Sequence, residues 1–222
     1  MTIISIENLS KSYRDSEVEV AALRNINLTF TKGEFTAIVG PSGSGKTTLL
    51  NMIGGLDQPD CGKIMIGEQD ITRLSGRQMI DFRMRNIGFV FQSYNLIPVL
   101  TALENVEFIL HLQGVEKMIR QQRATELLQA VGLGDRLHSR PGKLSGGQQQ
   151  RVAVARAPAS APRHILAEQP TANLDSASTR NLLDIMEHLN TESQATFIFS
   201  THDQRVVNKA RRVIVLEDGQ VA

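Results

Sequence analysis

Residues 40–48 read Gly40-Pro41-Ser42-Gly43-Ser44-Gly45-Lys46-Thr47-Thr48, and their reading decides the fold. The stretch follows the apolar run Phe35-Thr36-Ala37-Ile38-Val39 and precedes Leu49-Leu50-Asn51-Met52-Ile53. Strand, loop and helix therefore succeed one another around the pattern G-x-x-x-x-G-K-[ST]. Glycines at 40, 43 and 45 let successive N–H groups turn inward and form an anion-sized nest. A helix opening at Gly45-Lys46 adds unpaired N–H groups and the positive end of its dipole. Lys46 can place its charge on terminal phosphates, and the Thr47 hydroxyl can sit on Mg²⁺. A flexible Gly/Ser turn is the competing reading. A full match of the motif between a strand and a helix argues against it, so the loop is read as binding a nucleoside triphosphate.

Composition sets the frame. A chain of 222 residues fits one or two domains and can bury a substantial core. Its 24 Lys and Arg against 23 Asp and Glu leave a net charge of +1, without the basic excess that nucleic-acid binding calls for. Cys61 is the only cysteine, so no intramolecular disulfide is possible; it reads as a small loop residue. The N-terminus, Met1-Thr2-Ile3-Ile4-Ser5-Ile6-Glu7, has no basic region followed by an apolar core, and no signal peptide is expected. No window holds 18 uninterrupted apolar residues, so a cytoplasmic chain is expected, with any membrane spanning left to a partner.

Along the chain, residues 3–9 alternate as a strand, a charged turn follows around Arg14-Asp15-Ser16-Glu17, and residues 18–30 give two further strand-like pieces. Residues 62–66 with Ile71 suggest another short strand pair. Residues 77–85 read as a helix leading into a buried strand, Ile87-Gly88-Phe89-Val90-Phe91-Gln92, that ends on a polar residue. Residues 103–113 and 116–131 read as helices; in the second, Ala124, Leu127, Leu128 and Val131 share a face and Gly132 suits the C-terminal cap. Leu144-Ser145-Gly146-Gly147-Gln148 opens a helix carrying Val152, Val154 and Ala155. The strand–helix alternation then resumes with strands at 165–167, 196–199 and 213–216 and helices at 178–189 and 205–209. That alternation predicts an α/β fold with a mainly parallel core sheet. The β-rich first quarter adds an antiparallel β subdomain, and residues 93–158 read as an inserted helical subdomain within one domain of residues 1–222.

Taken together, these motifs resemble the ATP-binding cassette (ABC) ATPase family over essentially the whole chain. Leu144-Ser145-Gly146-Gly147-Gln148, followed by Gln149-Gln150-Arg151, matches the family signature. Physically it is a second helix N-terminus whose glycines permit close approach of an anion; a Ser145 N-cap is the plainer reading and holds as well. The resemblance implies ATP and Mg²⁺ as ligands and a head-to-tail pair of cassettes, in which Ser145, Gly146, Gly147 and Gln148 of one close over the P-loop nucleotide of the other. It implies that Tyr13 stacks on adenine, that Gln92 reaches Mg²⁺ and the attacking water, and that Asp175 lies in the loop facing the opposite subunit. It also implies that His202, in Ser200-Thr201-His202-Asp203, touches the γ-phosphate. Read without it, Tyr13 is a rim residue, Gln92 a polar strand end, and Asn173-Leu174-Asp175 an Asx turn capping the next helix. The partners implied are a second copy or a paralogous cassette and membrane-spanning permease subunits, with no nucleic acid. The corresponding location is the cytoplasmic face of the cell membrane. Residues 85–106 and 140–156 look most like the lipoprotein-releasing and macrolide-exporting branch.

One motif departs from the family. Where four apolar residues, Asp-Glu and Pro-Thr are usual, this chain reads Arg163-His164-Ile165-Leu166-Ala167-Glu168-Gln169-Pro170-Thr171. Glu168 takes the place of the aspartate that holds Mg²⁺; it keeps the charge with one more methylene, so altered coordination is expected. Gln169 takes the place of the general base and can only hydrogen-bond the water. Losing a positioned base commonly costs about 10²–10⁴ in rate. ATP binding and closed dimerisation with slow hydrolysis are expected. Pro158, if inside the signature helix, would cost ~3 kcal/mol unless the helix ends early, and His164 reads as a tolerated strand-start residue. Two other readings stay open: a regulatory cassette that uses ATP only to dimerise, and a soluble ABC protein of DNA repair or translation. Against the latter, residues 92 to 144 leave no room for a long coiled-coil insertion, and only one cassette is present.

Overall fold

The computed structural model describes residues 1–15 and 18–222. Two sheets organise it. The larger has strand order β10-β9-β3-β8-β7-β6, built from β3 (Phe35–Val39), β6 (Ile87–Val90), β7 (His164–Glu168), β8 (Thr196–Ser200), β9 (Arg212–Glu217) and β10 (Gln220–Val221). All its pairings are parallel except β10 on β9. The smaller is antiparallel, in the order β2-β1-β4-β5, from β1 (Thr2–Asp15), β2 (Val18–Thr31), β4 (Cys61–Ile66) and β5 (Gln69–Asp70).

The parallel strands are apolar on both faces because both are covered. On β8, Phe197 and Phe199 join the core beneath the helices, whereas Ile198 joins the core shared with the antiparallel sheet. On β7, Ile165 and Ala167 divide from Leu166 in the same way. The first core is completed by α3 (Ala102–Leu112), α4 (Lys117–Ala130), α5 (Gly146–Arg156) and α6 (Ser176–Ser193), the second by α1 (Lys46–Ile53). Helices α2 (Gly76–Asn86) and α7 (Gln204–Lys209) complete the set.

Most expected elements appear, with differences that have physical causes. The two pieces expected in residues 18–30 form one strand, β2, whose pairing with β1 carries several register shifts. A propensity reading mistakes such bulges for breaks. Of the expected turn at 14–17, Ser16 and Glu17 lie outside the described residues. Ile71 opens a 3-10 turn rather than a strand, capped by Asp70, whose carboxylate accepts from the Thr72 N–H at 3.0 Å. Strand β6 stops at Val90, so Gln92 is not a strand end. Helix α5 ends at Arg156, so Pro158 falls in the turn beyond it and removes no helical hydrogen bond. Sequence reading passed over β10, a two-residue edge strand with no pattern to detect.

The sheet register sets the site. Ile38 pairs with Ser200 and Ser200 with Glu168, so β3, β8 and β7 end in one row. The ladder runs one step further: the Thr201 N–H donates to the Ile38 carbonyl at 3.1 Å and the Gln169 N–H to the Ser200 carbonyl at 2.8 Å. Three loops therefore leave the same edge side by side, at the carboxyl ends of parallel strands, where α/β sheets place their ligand sites.

Candidate nucleotide site

The loop after β3 is held by contacts that only glycine allows. Gly40 has φ 151°, and a Cβ on it would meet the Leu216 carbonyl oxygen at 2.0 Å. Gly45, at φ 97°, would bring a Cβ within 2.3 Å of the Ala22 carbonyl oxygen. Gly45 is also the N-cap of α1 and has no side chain to cap it, so among the described residues no cap side chain takes up the first N–H groups of the helix, which suit an anion. The Lys46 side chain is almost wholly buried against this loop. Its ammonium donates to the Gly40 and Pro41 carbonyls at 2.9 and 2.6 Å and reaches Ser44 Oγ at 3.4 Å. Burial pushes its pKa down from the ordinary lysine value. A cation already desolvated and aimed along the loop needs only to exchange carbonyls for phosphate oxygens.

The cleft above the loop has a volume of about 550 Å³. Gly40, Pro41, Ser42, Gly43, Gly45, Lys46, Thr47 and Thr48 line one side, Gln169 and His202 another, and Val20 and Ala22 from β2 a third. The register thus brings residues 40–43, 45–48, 169 and 202 of the sequence-derived set to one cleft. Val20 and Ala22 were missed. Nothing local marked them, since the 55% exposure of Val20 is set by how the strands pack.

Tyr13 is not among the cleft-lining residues, but it pairs directly with Val20 across β1 and β2. Direct partners point to the same face, so the two form one rim. The Tyr13 hydroxyl donates to Asp57 Oδ2 at 2.7 Å, and Lys11 Nζ lies 5.3 Å from the ring centroid. Partial burial, and after it the Asp57 carboxylate, raise the phenol's pKa. Burial alone would raise that of Asp57, but hydrogen bonds from Tyr13 and the Gln58 N–H, with Lys11 nearby, hold it below the usual carboxylate range.

Glu168 leaves β7 beneath the loop, and the Thr47 hydroxyl donates to its Oε1 at 2.8 Å. An octahedral Mg²⁺ site with bonds of about 2.0–2.1 Å places adjacent ligand oxygens about 2.9 Å apart. The hydroxyl and carboxylate oxygens therefore already stand at the spacing two neighbouring Mg²⁺ ligands need, and hard oxygen donors are the right kind. The described residues hold no group of three or more His, Cys, Asp or Glu suited to a metal.

Gln169 adopts a left-handed backbone, φ 40°, sparsely populated for a non-glycine residue. Gln92 is exposed beyond β6 and outside the cleft lining; its carbonyl accepts from Asn173 Nδ2 at 3.3 Å. Asp175 caps α6, accepting from the Ala177 and Ser178 N–H groups at 2.9 Å and from Ser178 Oγ at 2.7 Å. The Ser178 bonds lead in holding it below its ordinary pKa. Asp203 is lowered further, to about 2, chiefly by its bonds from Arg205.

The signature residues form a separate site. Ser145 caps α5 in a capping box: its Oγ accepts from the Gln148 N–H at 3.3 Å, while its own N–H donates to Gln148 Oε1 at 2.8 Å. Among the described residues the Ser145 hydroxyl donates to no acceptor. Ser145, Gly147 and Gln148 line a cleft with Arg151, Leu174 and Ser178 that shares no residue with the one above the P-loop. Gly146 lies beside Tyr94, whose hydroxyl would be 3.1 Å from a Cβ at that position.

His164, at the opposite end of β7, is fully buried, and among the described residues neither ring nitrogen has a hydrogen-bond partner. Desolvation, with Arg163 nearby, pushes its pKa down to about 3. It is a neutral core residue.

Comparison with known proteins places this geometry. The family described as "ABC transporter" matches residues 23–172. The lipoprotein-releasing system ATP-binding protein LolD of Legionella pneumophila (strain Paris) is 42% identical over 99% of the chain and 96% of its own length. The macrolide export ATP-binding/permease protein MacB of Hyphomonas neptunium is 44% identical over 99% of the chain, which spans 34% of that longer protein. Among solved structures, the dimeric post-hydrolysis state of the ATP-binding cassette MJ0796, bound to ADP and Pi, matches with a TM-score of 0.91. It is 43% identical and is matched over 99% of this chain and 96% of its own.

Proposed function

The chain belongs to the ABC transporter family of ATP-binding ATPases, and on that premise we propose that it is a transporter's nucleotide-binding subunit, which binds ATP with Mg²⁺ and closes head to tail on a second cassette. The observation that carries the reading is the separation of two phosphate-suited helix N-termini, those of α1 and α5, into different clefts of one chain. Both can serve one triphosphate only if a second chain supplies one of them. The dimeric MJ0796 relative supports this arrangement.

In this reading the P-loop N–H groups and Lys46 hold the phosphates, and Tyr13 with Val20 meets the base. Thr47, Glu168 and Gln92 hold Mg²⁺, which when bound neutralises triphosphate charge. Ser145, Gly146, Gly147 and Gln148 cover the partner's nucleotide, Asp175 faces the partner, and His202 meets the γ-phosphate. Gln169 orients the attacking water but cannot take its proton, so hydrolysis is slow while binding is intact. Residues 93–158 act as one inserted helical subdomain of a single domain. Among the described residues no helix is long and apolar enough to cross a membrane, so attachment to the cytoplasmic face goes through permease subunits, in keeping with the names of the LolD and MacB relatives.

Steady-state phosphate release tests the reading. The Glu168→Asp, Gln169→Glu double substitution should hydrolyse ATP about 10²–10⁴ faster than the natural chain, and equal, brisk rates would refute impaired turnover. Gln169 also favours a second reading, a regulatory cassette that dimerises on ATP. Its mark is ATP-dependent dimerisation on size exclusion with no phosphate released over hours.

A further inference from the structure

One carboxylate joins the loops that carry Gln169 and His202. Asp203 Oδ2 accepts from the buried Thr171 hydroxyl at 2.7 Å. Arg205 closes on the same carboxylate, from Nε to Oδ1 at 2.9 Å and from Nη2 to Oδ2 at 2.7 Å, and extends Nη1 to Ser176 Oγ at 3.2 Å. The Asp203 N–H donates to Thr201 Oγ1 at 2.9 Å, closing a turn with His202 at its tip. On the other side, Gln169 is tied to Ser200 through its N–H and sits two residues before Thr171 in a left-handed conformation that needs support.

Capping α7 is a partial account of Asp203. The Arg205 N–H takes one oxygen, Oδ1, at 2.9 Å, and the helix it caps has only six residues. Oδ2 serves a residue 32 positions away, on the loop that follows a different strand. A hydrogen bond to an ionised acceptor is short and directional, and the second bond from Arg205 fixes the carboxylate plane.

We infer that Asp203 is a positioning residue, which holds the Gln169–Thr171 and Thr201–His202 segments in a fixed relation so that Gln169 and His202 face the same point of the cleft. The inference rests on the reading that His202 meets the γ-phosphate. The consequence is selective: loosening this tie weakens recognition of the third phosphate and leaves the P-loop's hold on the first two unchanged. Asp203→Asn still caps α7 but turns an amide N–H₂ toward the donor-only Arg205 and can meet Thr171 only with the hydroxyl reversed to accept, whereas Thr171→Val leaves cap and charge intact and removes only the tie.

Isothermal titration of the full chain with a non-hydrolysable ATP analogue and with ADP, both with Mg²⁺, tests it. Asp203→Asn, Thr171→Val and His202→Ala should each lower analogue affinity about tenfold and change ADP affinity less than twofold, with Thr171→Ser close to the natural chain. If His202→Ala loses the preference while the two tie variants keep it, or lose both affinities together, the role of Asp203 is overturned and the His202 reading stands. If His202→Ala keeps the preference, the γ-phosphate reading fails and the inference with it. Should Asp203→Asn fail to fold, Thr171→Val decides alone.

Discussion

Lowering the pH from 7.5 to 5 should destabilise this protein through one side chain, His164. Its imidazole is fully buried at the start of β7, among the described residues its nitrogens have no partner, and it titrates near 3 rather than at its ordinary 6.5. The folded pKa lies below the unfolded one, so folded chains keep the ring neutral while unfolded chains take up a proton. Stability is therefore full above about pH 6.5 and is lost as the pH falls through the window down to about 3. At pH 5 nearly every unfolded chain has gained the proton and almost no folded chain has. For a site with these two pKa values the linkage is worth about 2 kcal/mol relative to pH 7.5. That is a large share of the roughly 5–15 kcal/mol that holds a domain folded. Urea unfolding followed by circular dichroism at pH 7.5 and 5, on the natural chain and on His164→Leu, isolates the effect, because all other titrating groups are common to both. Leu should be the more stable at pH 7.5, since burying unsatisfied ring nitrogens costs about 1–3 kcal/mol. Its advantage should widen by about 2 kcal/mol at pH 5. An advantage that is the same at both pH values refutes the argument.

Two other substitutions test the frame of the site. Arg156, at the end of α5, donates to the Asn95 and Tyr94 carbonyls at 2.6 and 2.9 Å, and both of those residues have left-handed backbones; Arg156→Met should cost about 2–4 kcal/mol in urea unfolding and expose the 92–100 loop to limited proteolysis. Pro158→Ala should change stability by less than about 1 kcal/mol, not by the ~3 kcal/mol an interior helix proline would give back, because α5 already ends at Arg156; thermal melts distinguish the two.

The parts of the fold that were legible from sequence obey local rules. Short, nearly continuous apolar runs identified β3, β7 and β8 because both sheet faces are buried and every residue of those strands carries the signal. The serine, two glycines and glutamine at 145–148 specified a helix start because a cap and its reciprocal bond lie within four residues. Misreadings fell where the pairing partner was distant. Strand β2 looked broken because its bulges are defined only against β1, and Gln92 looked like a strand end because the place where β6 stops is set by its pairing with β7. His164 offered no warning of complete burial, since burial is a property of neighbouring strands.

By itself the sequence determined that this chain has a strand–glycine loop–helix motif suited to phosphate, a second glycine-bearing helix start, and a Glu168-Gln169 pair directly after an apolar run. Each is a matter of residue type and spacing over a few positions. Tertiary structure decided how they combine. Strand order β9-β3-β8-β7 and its register put residues 40–48, 169 and 202 on one edge and turned residues 145–148 to another cleft. They also brought Thr47 to Glu168 across 121 residues and Thr171 to Asp203 across 32. Such contacts follow from which strands pair and in what register, a choice made by the burial of the whole sheet, and no local window of sequence contains it.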